Sequence, residues 1–185
     1  MSTPLLRSPA LLLLAALLSC SACLAQSDAR PDTLSANPDW LPFEEALTQA
    51  RADDKVVLVD VYTPWCGWCR KMQQEVYTDA QIRAHLDSAF VATRLNIDDT
   101  QTALAYQDYE LSPKELGNAF GATGTPTTVF LDAEGNYITR LPGFVDAPTF
   151  ERVLAYMGSG AYRDQTLREF VDAGSTPTGA PDDGP

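Results

Sequence analysis

Hydrophobic and polar positions change their period several times along this chain, and each change predicts a new element. In "WLPFEEALTQARADD", Leu41, Phe43, Ala46, Leu47 and Ala50 recur at three- and four-residue spacing, which predicts a helix with Pro42 in its first turn. "KVVLVDVY" is instead a compact β-branched run broken only by Asp60, the pattern of a buried strand. Helical spacing returns in "RKMQQEVY" through Met72 and Val76, and again in "TDAQIRAHLDSA", which starts at Thr78 or Asp79 and places Ile82 and Leu86 four apart. "FVATRLNID" predicts a second strand. "SPKELGNAFG" predicts a helix from its capping chemistry: Ser112 caps, Pro113 takes the first position, Glu115 completes a capping box and Gly121 suits the exit. "TPTTVFLDAEGNYITRLPGF" reads as two strands around a tight turn at Asp132–Asn136. "DAPTFERVLAYMG" is a helix from Asp146 to Gly158, followed by a shorter helical stretch in "DQTLREFVD".

The order helix, strand, helix, strand, helix, strand, strand, helix predicts an α/β fold with a central mixed β-sheet flanked by helices on both faces. The pattern also divides the chain. Residues 1–25 carry one cation, Arg7, then an apolar stretch from Ala10 to Leu18 and small residues, the layout of a secretory signal too short to span a bilayer. Two endings fit it. Cleavage after Ala25 releases a soluble chain beginning at Gln26. Alternatively, "LLSC" resembles a lipobox, with Cys20 as the lipidated residue and Cys23 as a weaker candidate. Residues 26–38 are polar and proline-punctuated, a linker; 39–158 form the domain, 159–172 a helical extension, and 173–185 a proline- and glycine-rich tail expected to be disordered.

Charge narrows the partners. The net charge of −12, with no basic run of five or more, speaks against nucleic acid, whose phosphates need clustered Lys and Arg. Contact with a membrane is expected only through a lipid anchor. Export places any thiols where disulfides persist, in the periplasm or beyond, and soluble processing leaves only Cys66 and Cys69.

Those two cysteines stand where the first strong strand meets a helix. Disulfide exchange needs a thiolate, and a helix N-terminus lowers a thiol's pKa through its unpaired N–H groups and positive dipole end. Cys66 is therefore the candidate nucleophile. Cys69, three residues on, is placed to attack a mixed disulfide and release product. Gly67 leaves the attacked sulfur uncrowded. Zinc is poorly served by two cysteines and the single His85, haem attachment wants histidine where Arg70 stands, and a purely structural disulfide remains open.

"VLVDVYTPWCGWCRKM" resembles the active-site segment of the thioredoxin superfamily, and the similarity runs through most of residues 39 to 158. "GTPTTVFLDAEG" resembles the family's second signature, with Pro126 at its cis-proline. "WLPFEEALTQARADDK", "YTDAQI" and the ending from "LPGF" to "LREF" resemble exported branches, the SoxW-type thioredoxins and the C-terminal domain of DsbD. The resemblance implies a thioredoxin fold, Cys66 attacking, Cys69 resolving, and Asp60 as the buried acid that exchanges a proton with Cys69. Arg94 falls where the family often places a lysine near that acid, though a solvated charge fits it equally. Thr125 and Pro126 would present backbone beside the dithiol, leaving Thr125 and Thr127 to pair with an extended substrate. Trp65 and Trp68 would flank the dithiol as exposed apolar surface, whereas Trp40 reads as packing.

Three departures from thioredoxin proper stand out: Trp68 replaces the proline inside the motif, Thr125 replaces an aliphatic residue, and the stretch 99–125 is longer than in the short form. Its Tyr106 and Tyr109 fit a partner-recognition element or a surface elaboration equally. Family potentials run from about −270 mV for thioredoxin to about −120 mV for DsbA. Uncharged Trp68, where the oxidising group commonly has histidine, and a buried Asp60 both favour a reductase. Its expected partners are protein disulfides and a membrane electron donor of the DsbD or CcdA kind. It needs no cofactor beyond the Cys66–Cys69 disulfide and no metal. A dithiol oxidase or isomerase, a non-catalytic adaptor and a copper-handling lipoprotein are the alternatives.

Overall fold

The computed structural model describes residues 37–174. The expected signal with Cys20 and Cys23, most of the linker and nearly all of the tail lie outside the described residues. The elements follow in the order α1 (Phe43–Asp53), β1 (Val56–Tyr62), α2 (Gly67–Glu75), α3 (Ala80–Ala89), β2 (Phe90–Asn96), β3 (Leu104–Tyr106), β4 (Tyr109–Leu111), α4 (Pro113–Ala119), β5 (Thr127–Leu131), β6 (Tyr137–Pro142), α5 (Ala147–Gly158) and α6 (Leu167–Gly174), with a 3-10 turn at Ala161–Arg163 before α6.

Four strands form one mixed sheet in the order β2-β1-β5-β6. β1 lies parallel to β2 and antiparallel to β5, and β5 is antiparallel to β6. Side chains alternate along β1 because successive Cβ atoms point to opposite faces. Val57, Val59 and Val61 accordingly join the core under α1 and α4, with Phe43, Ala46, Leu116 and Phe120. Val56 and Leu58 join the other core, with Met72, Ile82, Phe130, Phe150 and Leu154 from α2, α3, β5 and α5. The same alternation sends Asp60 to the α2 face. Helices thus cover both faces, as the order of elements predicts.

Local chemistry explains most boundaries. Asp79 caps α3 by accepting from the backbone N–H groups of Gln81 and Ile82, and Asp146 caps α5 by accepting from Thr149. The capping box of Ser112 and Glu115 opens α4 as the sequence predicts. α4 packs close to the sheet through Gly117, where an added Cβ would stand 2.9 Å from Ile97 Cγ2.

Two local expectations change and one open stretch takes form. Leu41 is not helical: it bridges in parallel to Thr93, its N–H donating to the Ala92 carbonyl at 3.0 Å. The following Pro42 disfavours helical geometry at Leu41 and is itself the extended N-cap of α1. The long stretch 99–125, which the sequence leaves open between partner recognition and surface elaboration, holds the β3–β4 hairpin, a second two-stranded sheet, ahead of α4. Its two tyrosines have opposite fates. Tyr106 packs against Phe43 and Phe120 and donates its hydroxyl to the Gly135 carbonyl at 2.9 Å, while Tyr109 is exposed. Finally, the last helix runs through Gly174, into the segment expected as tail.

Candidate active site

Cys66 is the N-cap of α2. Its backbone is extended (φ −67°, ψ 110°), and its Sγ accepts from the Cys69 N–H at 3.0 Å. Sulfur therefore fills the role that serine or aspartate oxygen usually takes at this position, satisfying the N–H three residues on. A negative charge on that sulfur faces the positive end of the helix, and no acidic residue in the first turn opposes it. Cys66 and Cys69 are joined as a disulfide with Cα atoms 5.2 Å apart, and both are buried. Gly67 between them is exposed, and a Cβ there would meet only Arg70 Nη2 at 3.8 Å, so packing does not demand glycine.

Asp60 sits in the middle of β1, 1% exposed. Burying a carboxylate is costly unless donors replace its water. Here β2 supplies one directly: Arg94 lies opposite Asp60 in the parallel register, and its Nε donates to Asp60 Oδ2 at 2.9 Å. From α2 the Gln73 amide donates to the same oxygen at 3.1 Å, and beyond the helix the Tyr77 hydroxyl donates to Oδ1 at 3.4 Å. Burial pushes the Asp60 carboxyl above its ordinary value, even though Arg94, Tyr77 and Gln73 all pull it down. Burial and the Asp60 charge push the Tyr77 phenol well above its usual value, so it stays a donor at neutral pH.

Arg94 is therefore an ion-pair partner rather than a solvated charge. Its guanidinium carbon stands 3.7 Å from the centre of the Tyr62 ring and 5.3 Å from that of Trp40. Trp40, read from sequence as packing, also meets the Tyr77 ring edge-on at 5.1 Å.

The remaining expected site residues line the same end of the sheet. Trp65 and Trp68 are exposed by 72% and 58%. The Trp65 indole N–H donates to Asp98 Oδ2 at 2.6 Å, while Trp68 packs on Phe144 at 5.5 Å with Lys71 Nζ over both rings. The Thr125–Pro126 peptide is cis and leads into β5, whose first residue Thr127 pairs with Val61 near the carboxyl end of β1. Thr125 is half-buried and Pro126 buried. Thr127 departs from expectation. It belongs to the ladder, in register with both Val61 and Pro142, and its hydroxyl donates to the Gly124 carbonyl at 2.7 Å. Of the two flanking residues only Thr125 stands outside the strand.

Sequence reading misses Gln73, Tyr77, Asp98 and Phe144. Gln73 had a usable signal, since it lies one helical turn beyond Cys69 and so on the same face. Asp98 and Phe144 reach the site only through long-range packing, which spacing does not encode.

A family model for a thioredoxin-like domain matches residues 43–158. The thiol:disulfide interchange protein DsbD of Ralstonia nicotianae is 33% identical over 127 residues, which cover 68% of this chain and 19% of that protein. The disulfide bond reductase DsbH of Chlamydia pneumoniae is 28% identical over 133 residues, covering 68% of this chain and 79% of that one. The chain spans only 17% to 24% of the length of DsbD relatives. Among solved structures, a thioredoxin from Thermus thermophilus matches with a TM-score of 0.55 at 25% identity, over 66% of this chain and 88% of that chain. A thioredoxin-fold protein from Helicobacter pylori gives 0.56 at 23% identity, over 65% and 84%, and supports the fold alone. The chain belongs to the thioredoxin-like family, and the two cysteines of its CXXC motif, Cys66 and Cys69, form a disulfide.

Proposed function

We propose that this chain is an exported protein-disulfide reductase. The observation that carries the reading is Cys66 at the α2 N-cap, its sulfur accepting from the Cys69 N–H and bonded to Cys69. In the reduced protein, the Cys66 thiolate attacks one sulfur of a substrate disulfide, forming a mixed disulfide and expelling the first substrate thiolate. Cys69 then gives its proton to Asp60 and attacks Cys66 Sγ. The Cys66–Cys69 bond forms, the mixed disulfide breaks and the second substrate sulfur leaves as a thiolate, which takes a proton from solvent while Asp60 returns the Cys69 proton to water. Two electrons have passed to the substrate, and a membrane electron carrier of the DsbD or CcdA kind restores the dithiol.

Trp65, Gly67, Trp68, Thr125 and Pro126 form the substrate-binding rim in this reading. Exposed indoles beside buried sulfurs support it, because a docking segment can cover the rings while reaching the disulfide. The uncharged Trp68 ring and the DsbH relative, named as a reductase, support the direction. The signal-like residues 1–25 support export, with Cys20 or Cys23 as the lipid-bearing residue if the chain is anchored.

Insulin-disulfide reduction by wild type and Cys66→Ser tests the enzyme. Turnover by wild type and background rates for the variant are expected; equal rates would contradict it. Cys69→Ser should retain substrates as mixed disulfides, identifiable by mass spectrometry.

A further inference from the structure

Beside Cys69 lies a cavity of about 200 Å³, walled by Thr63, Cys69, Gln73 and Arg94 among others. Water occupies about 30 Å³ per molecule in the liquid, so the space accommodates several if polar groups hold them. Those groups are present. Gln73 and Arg94, both residues of its wall, carry an amide and a guanidinium. Asp60 does not itself line this cavity, but Gln73 and Arg94 of its wall both donate to Asp60 Oδ2. Gln73 is also one turn from Cys69 on α2, so a single side chain ties the resolving cysteine's helix face to the buried acid.

We propose that Gln73 is a positioning residue of the redox site: its amide holds Asp60 at the edge of the Cys69 cavity and sets how readily that carboxylate takes the Cys69 proton through water. The inference rests on the proton-exchange role proposed above for Asp60. Arg94 from β2 and Tyr77 from beyond α2 complete the donor set, and Thr128 of β5 lies opposite Asp60 in the antiparallel register. Arg94 carries a permanent charge and Tyr77 stays protonated, so both are fixed donors. Gln73 and Arg94 both border Asp60 and the cavity, and of the two Gln73 is the uncharged one and the one carried on the Cys69 helix. Its amide favours the ionised carboxylate without adding charge. An apolar replacement removes that preference, and a glutamate sets a second negative charge beside Asp60, so both raise the carboxyl's protonation constant.

The test is carbon NMR of the Asp60 carboxyl in the full chain with its Cys66–Cys69 disulfide intact, for wild type, Gln73→Leu and Gln73→Glu. The Asp60 midpoint is expected to rise by about half a pH unit, a threefold change in protonation constant, in Gln73→Leu and further in Gln73→Glu. The rising limb of the pH profile for insulin reduction should move the same way. The spectra also report folding, so either variant alone suffices if the other is unfolded. An inactive wild type contradicts the proposed function, in a separate assay. A wild type that is active, with midpoint and rising limb unmoved by either substitution, overturns the positioning role alone.

Discussion

Asp60 lies on the α2 face of β1, the face whose core includes Leu58, Met72 and Phe130, and the donors from β2, α2 and Tyr77 make its ionised form tolerable there. Because burial wins and the folded-state value is raised, Asp60 contributes stability that is fully present below its unfolded value and is lost as pH rises through the folded one. Asp60→Asn lacks this loss, so the variant should gain stability relative to wild type between about pH 4 and pH 8. Urea unfolding at both pH values measures it, and a wild type–variant difference that does not change with pH would contradict the burial account. Trp68 invites a second residue-scale prediction. Replacing it by histidine brings an ionisable ring beside the dithiol and favours the Cys66 thiolate. The potential of Trp68→His should become more oxidising by about 30 mV, equivalent to about 1.4 kcal/mol for a two-electron couple. A glutathione titration reads this shift; an unchanged or more reducing value would remove Trp68 from the set of groups that tune the potential.

At the scale of elements, the hairpin β3–β4 is the test of what the long stretch does. Tyr106 carries it into the core under α1 and α4, and the Glu44 carboxylate of α1 accepts from the Ala105 N–H at 2.9 Å. Tyr106→Ala should therefore cost about 3 kcal/mol of stability, whereas Tyr109→Ala at an exposed position should stay within about 0.5 kcal/mol. Equal costs would place the hairpin outside the core. α4 gives a parallel case. Gly117→Ala pushes a methyl onto Ile97 and should cost about 1–3 kcal/mol in urea unfolding, with insulin reduction retained. Elements with self-contained signals were legible in the sequence: the β-branched run of β1, the Ser112–Glu115 capping box, and the Asp132–Asn136 turn, where the Asn136 N–H donates to Asp132 Oδ1. The hairpin was not, because three-residue strands leave too few positions for an alternating pattern. Leu41 misled for a definable reason, since its spacing suits a helix while the proline after it does not.

For the molecule as a whole, the two cysteines and Asp60 were legible because each breaks the pattern around it: a thiol pair opening a helix, and an acid inside an apolar strand. The donors around Asp60 were less so, since Arg94 arrives through parallel pairing and Tyr77 through a turn after α2, both set by tertiary packing. The result is a Cys66–Cys69 disulfide at the start of α2, a buried acid held by Gln73 from the same helix, and exposed indoles at Trp65 and Trp68. Whether this assembly gives or takes electrons depends on a single equilibrium quantity, the reduction potential of the Cys66–Cys69 couple. Equilibrating the full chain with defined glutathione ratios, and reading the Cys66–Cys69 peptide by mass, measures it directly. A reductase predicts a value more reducing than about −180 mV, the potential of protein disulfide isomerase, on the thioredoxin side of the range; a value more oxidising than that would contradict the reductase direction.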